Sequence, residues 1–126
     1  MHTHTVPRNA PPADLLRVTE LFRALADPTR LQIVLQLRDG ERSVRQLMQA
    51  LGQPQSTVSR HLGLLRAAHL VQTRRAATSV YYRLADSHLG QLLTEAFSHA
   101  QHERLGLPAH GPTDPAQADP ATAGGR

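Results

Sequence analysis

Four side chains that can bind a metal ion lie within the stretch DSHLGQLLTEAFSHAQH. They are one aspartate and three histidines, namely Asp86, His88, His99 and His102. A helix rises about 1.5 Å per residue, so His88 and His99 would lie roughly 16 Å apart on a single helix. Metal–nitrogen bonds are only about 2 Å long. Either this spacing is accidental, or two copies of the helix contribute ligands to one site.

The composition limits both the compartment and the chemistry. The 126 residues suffice for one domain with a modest core, and 40% of them are apolar. Cysteine is absent, which excludes a disulfide framework, a thiolate metal site and a cysteine nucleophile. No apolar run approaches the ~20 residues that cross a bilayer, and the N-terminus lacks the apolar core of a signal peptide. We therefore expect a soluble cytoplasmic protein that does not bind a membrane.

Positive charge is concentrated in the middle of the chain. All fourteen basic residues are arginines, and the net charge of the whole chain is +4. Residues 41–83 contain seven of these arginines and one acidic residue, a local balance of +6. A basic segment between nearly neutral ones indicates a polyanionic partner such as nucleic acid.

The apolar spacing predicts five helices and one hairpin within a single domain, residues 12–107. Residues 1–11 are expected to form a flexible arm, and the Pro- and Gly-rich residues 108–126 a disordered tail. The helices are expected from Pro12, from Pro28 with Asp27 as N-cap, over Ser43–Leu51, from Pro54 at a first helical position, and over about residues 87–105. Inward-facing positions in the first two helices are Leu15, Val18, Leu21, Phe22, Leu25, Leu31, Val34, Leu35 and Leu37.

The runs LVQTRR and SVYYRL, residues 70–75 and 79–84, are rich in residues that favour strands. We expect them to pair as a hairpin around the turn Ala76-Ala77-Thr78, which has no glycine. Two helices joined by a tight turn and followed by a basic hairpin are typical of a winged helix-turn-helix. The predicted fold class is therefore mainly α with a β-hairpin wing.

The fourth predicted helix has one apolar and one polar face. Val58, Leu62 and Leu65 define the buried stripe, and His61 at its edge is expected to be structural. The side chains predicted to meet DNA from this helix are Gln55, Ser56, Thr57, Ser59 and Arg60. Arginine suits guanine and glutamine suits adenine, while hydroxyls bind bases or phosphates. Arg74 and Arg75 of the hairpin are expected to contact the DNA backbone.

The runs FRALADPTRLQIVLQL and QSTVSRHLGLLRAAHLV, with the hairpin and YYRLAD, resemble the ArsR/SmtB family of bacterial winged-helix repressors. The resemblance extends over about residues 15–105. It implies an obligate homodimer whose first and fifth helices form the interface. It also implies that the dimer represses metal-efflux or resistance genes from a palindromic operator.

The fifth predicted helix now explains the separated ligands. Its apolar stripe has His88, His99 and His102 along one edge, so antiparallel packing of two stripes would form two symmetric sites. Each site would combine Asp86 and His88 of one chain with His99 and His102 of the other, and three imidazoles with a carboxylate suit tetrahedral Zn²⁺. The pattern also resembles the fifth-helix site of the zinc- and cobalt-sensing branch of the family.

Other metals are distinguished by the remaining ligands. The family's third-helix thiolate site would fall on Ser43 and Arg45, so soft metals are not expected. Octahedral Ni²⁺ needs more ligands, which His2, His4 and His110 of the terminal segments could supply; the nickel sensors of the family resemble this chain there.

The resemblance implies a route from metal to DNA. His99 would hydrogen-bond toward the end of the fourth helix, at the turn that contains His69. Two other functions are compatible with parts of this sequence. A winged-helix regulator that responds to a non-metal signal would leave the histidines without a role. A zinc enzyme would need an open coordination position and a cleft for a small organic substrate. Four protein ligands would fill the coordination shell, and two packed helices would offer no cleft. We therefore expect neither catalysis nor catalytic residues.

Overall fold

The computed structural model describes residues 8–106. The helices are α1 (Pro12–Leu25), α2 (Pro28–Arg38), α3 (Val44–Leu51), α4 (Gln55–Ala67) and α5 (Ser87–Leu105), and the strands are β1 (Arg42–Ser43), β2 (Val71–Ala76) and β3 (Ser79–Leu84). The chain divides into two compact units between Ser87 and His88, so that α5 belongs to the second unit. No helix within residues 8–106 is long and apolar enough to span a bilayer.

Local sequence signals set the starts of α2 and α3. The Asp27 carboxylate accepts a hydrogen bond from the Arg30 backbone N–H at 3.0 Å, and Pro28 takes the first helical position. Ser43 and Gln46 form a reciprocal capping box at the start of α3. Gly52 ends α3 with a left-handed φ of 65°, which suits glycine because it lacks a Cβ.

The start of α4 differs from the prediction by one residue. Pro54 is the N-cap, with extended dihedrals of φ −71° and ψ 161°, and Gln55 is the first helical residue. The Pro54 carbonyl accepts from the Val58 N–H at 3.1 Å, so proline opens the helix from outside its first turn.

The sheet contains a strand that the sequence did not reveal. Its order is β1-β3-β2, and Arg42 and Ser43 of β1 pair with Tyr82 and Tyr81 of β3. Two residues are too few to show an alternating pattern, so β1 is defined by its partner strand.

The turn of the hairpin is shorter than predicted. Ala76 pairs with Ser79, which leaves a two-residue turn of Ala77 and Thr78. Ala77 has a positive φ of 54°. Two-residue hairpin turns require positive φ because their twist must match that of the strands, and here alanine adopts it instead of glycine.

The core of the first unit lies between α2, α3, α4 and the hairpin. Its fully buried side chains are Ile33, Val34, Leu47, Val58, Leu62 and Leu65. Ile33 was not expected to face inward, whereas Leu31 and Leu35 were but are only half-buried. In α1 only Leu25 is buried, while Leu15, Val18 and Phe22 remain 47%, 50% and 53% exposed. Three of the inward positions predicted for α1 therefore form an apolar surface on the single chain.

Candidate nucleic-acid interface and metal centre

The polar face of α4 is fixed by the burial of its opposite face. Val58, Leu62 and Leu65 are fully buried, and α4 packs against α2 and α3. The predicted contact residues Gln55, Ser56, Ser59 and Arg60 are exposed, and Thr57 is half-buried. Hydrogen-bonding groups on an exposed helix face, held by a rigid core, can enter a major groove and meet base edges.

His61 lies beneath this face and is only 6% exposed. Its Nδ1 lies 3.2 Å from Nη1 of Arg30 and 3.8 Å from Oδ2 of Asp27. Its Nε2 lies 3.4 Å from Nη2 of Arg60. Burial lowers the pKa of His61, with a smaller opposing effect of the Asp27 carboxylate, so the imidazole is neutral at neutral pH. The sequence predicted a structural role for His61 but none of its partners, which are Asp27 at the N-cap of α2, Arg30 within α2 and the adjacent Arg60 of α4.

Arg30 connects this cluster to the end of α1. Its Nε donates to the carbonyl oxygen of Ala24, and its Nη2 donates to that of Arg23 at 3.5 Å. These carbonyls belong to the last turn of α1, where carbonyls lack the usual partner one turn further along the helix; that of Arg23 also accepts from the Ala26 N–H at 3.2 Å. One guanidinium thus joins α1, α2 and α4.

The two arginines predicted to contact DNA from the wing, β2 and β3, have different environments. Arg74 is bound by the Glu41 carboxylate, with an Nη2 to Oε1 distance of 2.7 Å, and lies 5.1 Å from the ring centre of Tyr81. The hydrogen bond from Arg74 holds the pKa of the Glu41 carboxyl below its ordinary value. Arg75 is exposed and points to the other side of the strand. The charge of Arg74 is therefore partly neutralised within the protein.

The candidate metal ligands lie on or beside one continuous helix. Asp86 directly precedes α5, which carries His88, His99 and His102. Within residues 8–106 of one chain, no group of three or more potential ligands is close enough to hold a metal ion. The Nε2 of His99 lies 3.8 Å from Oε2 of Glu103, and both side chains are more than 70% exposed. His2, His4 and His110 lie outside the described residues. The four proposed ligands therefore do not form a complete metal site within one chain.

His69, the predicted coupling residue, ends α4 in a conformation that favours glycine. Its φ is 63°. The Leu70 N–H donates to the Leu65 carbonyl at 3.0 Å, and the His69 N–H donates to the Arg66 carbonyl at 2.9 Å. These two bonds form a Schellman motif, in which the left-handed position is usually glycine. The His69 side chain is exposed.

A buried helix-turn-helix with an exposed polar face, followed by a basic hairpin, defines a winged helix-turn-helix DNA-binding protein. The family model described as the bacterial regulatory protein, arsR family, matches residues 27–73. The chain belongs to this ArsR family of bacterial transcription regulators.

Two curated proteins of Mycobacterium tuberculosis illustrate the relationship. The HTH-type transcriptional regulator KmtR is 42% identical over 110 residues, which cover 87% of this chain and 85% of that protein. The HTH-type transcriptional repressor SmtB is 46% identical over 96 residues, which cover 75% of this chain and 71% of that protein.

A solved structure agrees with the architecture. The homodimeric winged helix-turn-helix DNA-binding domain of Mb0332 from Mycobacterium bovis, described as a possible ArsR-family regulator, superposes with a TM-score of 0.71 at 33% identity. The match covers 79% of this chain and 92% of that one. The predicted fold class is confirmed.

Proposed function

We propose that this chain is a metal-responsive repressor that binds a palindromic operator as a homodimer and releases it when metal binds to α5. The observation that carries the DNA-binding role is the exposed polar face of α4, whose opposite face is fully buried. Related proteins named as regulators and repressors support regulation rather than catalysis. A DNA-binding regulator of a bacterium acts in the cytoplasm, where the chromosome lies.

Dimerisation through α1 and α5 would cover the apolar surface of α1. Leu15, Val18 and Phe22 are each about half exposed on the single chain, and large exposed apolar patches are uncommon on monomeric proteins. The M. bovis relative is homodimeric, which supports a homodimer here. A twofold dimer presents two α4 helices, which is why we propose a palindromic operator.

Base reading is assigned to the first turns of α4. Arg60 can bind guanine through two hydrogen bonds, and Gln55 can bind adenine in the same way. Ser56, Thr57 and Ser59 can donate to phosphates or to base edges. Arg75 is the wing residue whose charge is exposed for the DNA backbone.

The ligand chemistry fits a borderline transition metal. Three imidazoles and one carboxylate are the donors that Zn²⁺ and Co²⁺ accept, and the chain has no thiolate for a soft metal. Asp86 and His88 of one copy and His99 and His102 of its partner would hold the ion. Bound there, the metal would supply a fixed link between the two copies. If His2, His4 and His110 also reach the site, the larger set would suit Ni²⁺.

Operator binding across buffered metals tests the response. A labelled operator duplex, recovered from a random-sequence library with the apo protein, is titrated while anisotropy is followed in Zn²⁺, Co²⁺, Ni²⁺ and metal-free buffer. We expect one of these metals to weaken binding about 5- to 150-fold, the range of typical coupling energies. Equal affinity in all four buffers, with no metal bound at equilibrium dialysis, would favour a regulator of a non-metal signal.

Mixed dimers test whether two chains share each site. One chain carries Asp86→Ala and His88→Ala, and the other carries His99→Ala and His102→Ala. We expect neither mutant homodimer to hold a complete site, and the purified heterodimer to regain one. A heterodimer without metal, or full occupancy in either mutant homodimer, would contradict the shared site.

A further inference from the structure

Both ring nitrogens of His61 face the guanidinium of an arginine. Nδ1 lies 3.2 Å from Arg30 Nη1, and Nε2 lies 3.4 Å from Arg60 Nη2. An arginine can only donate hydrogen bonds, and a neutral imidazole has one acceptor nitrogen and one donor nitrogen. His61 therefore satisfies one of the two arginines at a time.

The two neutral tautomers of His61 have different consequences. With the proton on Nε2, Nδ1 accepts from Arg30. Arg60 then faces the Nε2–H, which is a donor and cannot accept a hydrogen bond from it. With the proton on Nδ1, Nε2 accepts from Arg60, Arg30 loses its acceptor on the ring, and the Nδ1–H points toward the Asp27 carboxylate 3.8 Å away. The position of one proton thus decides which arginine His61 binds.

We propose that His61 is a positioning residue for operator recognition: its single acceptor nitrogen exchanges between Arg60, on the DNA-binding face, and Arg30, which holds the end of α1. When Arg60 leaves His61 for DNA, the acceptor passes to Arg30. Because Arg30 also donates to two carbonyls in the last turn of α1, operator binding tightens the junction of α1, α2 and α4. This inference rests on the proposed role of Arg60 in reading bases.

The tautomer can be measured directly without DNA. In ¹⁵N-labelled protein, the shifts of the two ring nitrogens distinguish the Nε2–H from the Nδ1–H form, and the His61 signals are assigned by their loss in His61→Gln. We expect Arg60→Ala to raise the Nε2–H fraction of His61, because it removes the donor at Nε2. The matched control is Arg66→Ala, another exposed arginine of α4, which should leave the tautomer unchanged. An unchanged tautomer in Arg60→Ala would overturn the proposal.

The same signals then report on binding of the selected operator duplex. We expect operator, but not a scrambled duplex, to move wild-type His61 toward the Nε2–H form. No change on operator binding would overturn the exchange. If Arg60→Ala shifts the tautomer but leaves operator affinity unchanged, the exchange between arginines stands and the base-reading role of Arg60 fails instead.

Two conservative variants separate positioning from packing. The amide of Asn reaches as far as Nδ1 of histidine, and that of Gln as far as Nε2. We expect His61→Asn to keep the ratio of operator to scrambled affinity within about twofold, because it retains the acceptor that Arg30 uses in the DNA-bound state. His61→Gln should reduce this ratio about tenfold, within the discrimination of one bidentate base contact, because its amide holds Arg60 and leaves Arg30 without an acceptor. The reduction should vanish when Arg60 is already alanine. Equal losses in both variants, or a loss independent of Arg60, would show that His61 acts only in packing.

Discussion

The Arg74 guanidinium is bound by both carboxylate oxygens of Glu41, with Nη2 2.7 Å from Oε1 and Nε 3.1 Å from Oε2. Glu41 lies in the segment between α2 and β1, so this pair fastens the hairpin to the preceding loop. The pair also distinguishes Arg74 from the adjacent Arg75, although the sequence alone predicted the same role for both. Arg74 stabilises the position of the wing, whereas Arg75 presents its charge to solvent.

This difference predicts opposite effects on the salt dependence of DNA binding. Arg75→Ala should weaken binding to all duplexes and reduce the salt slope by about one unit, the value of one phosphate contact. Glu41→Gln should strengthen binding and steepen the slope by up to about one unit, because it frees the charge of Arg74 while keeping a hydrogen-bond acceptor. Anisotropy titrations over a series of salt concentrations measure both. An unchanged slope in Glu41→Gln would exclude Arg74 from the DNA interface.

The conformation of His69 predicts a stabilising substitution. A left-handed φ destabilises the folded chain by roughly 1–2 kcal/mol when the residue has a Cβ. Glycine removes this cost, but it lowers stability by about 0.4–1 kcal/mol because it increases the conformational entropy of the unfolded chain. His69→Gly should therefore raise the free energy of unfolding by about 0.5–1 kcal/mol. Ala77→Gly at the wing turn, with a φ of 54°, is the matched control and should stabilise similarly.

The two glycine variants also test the coupling role of His69. If His69 receives the signal from α5, His69→Gly should lose metal-dependent release although it is more stable, and Ala77→Gly should retain it. Urea unfolding and metal-dependent anisotropy on the same preparations give both readouts. Wild-type release in His69→Gly would remove this side chain from the route.

Sequence reasoning located the elements better than the contacts between them. Asp27 and Pro28 specify the start of α2 through local hydrogen bonds and a fixed φ, so the prediction there is confirmed. The helical periodicity of α4 correctly predicted that Val58, Leu62 and Leu65 are buried, because the buried face of a helix repeats with its turn. The pairs of Arg74 with Glu41 and of Arg30 with His61 join residues more than thirty positions apart, and no local pattern reports them.

The pKa of His61 predicts how stability depends on pH. Burial lowers this pKa in the folded chain, so the unfolded chain, with a pKa of about 6.5, binds the proton more readily. The contribution of neutral His61 to stability is therefore complete above about pH 6.5 and declines as the pH falls from there toward the lowered value. The charged groups facing the ring are Asp27, Arg30 and Arg60.

The check is urea unfolding between about pH 7.5 and 5. The wild type should lose stability as the pH falls, and His61→Gln should lose measurably less because it removes the titrating group. The contribution of Asp27 to stability is lost only at lower pH. The hydrogen bond from the backbone N–H of Arg30 holds the pKa of the Asp27 carboxyl below its ordinary value, so this carboxyl is protonated only in more acidic solution. Parallel pH profiles of wild type and His61→Gln would contradict the assignment.

Metal affinity and DNA release should depend on different ligands of the α5 site. Asp86 and His102 are expected mainly to supply affinity, and His99 to transmit the signal. A ligating imidazole donates its second N–H to a neighbouring acceptor, whereas a carboxylate can bind the same metal but has no proton to donate. His99→Asp and His102→Asp are thus matched variants: both keep a ligand, and both remove the N–H. At saturating metal, verified by dialysis, His102→Asp should still weaken operator binding several-fold, whereas His99→Asp should bind the operator as the apo protein does. A metal-saturated His99→Asp dimer that releases the operator like the wild type would show that the signal leaves α5 through another residue.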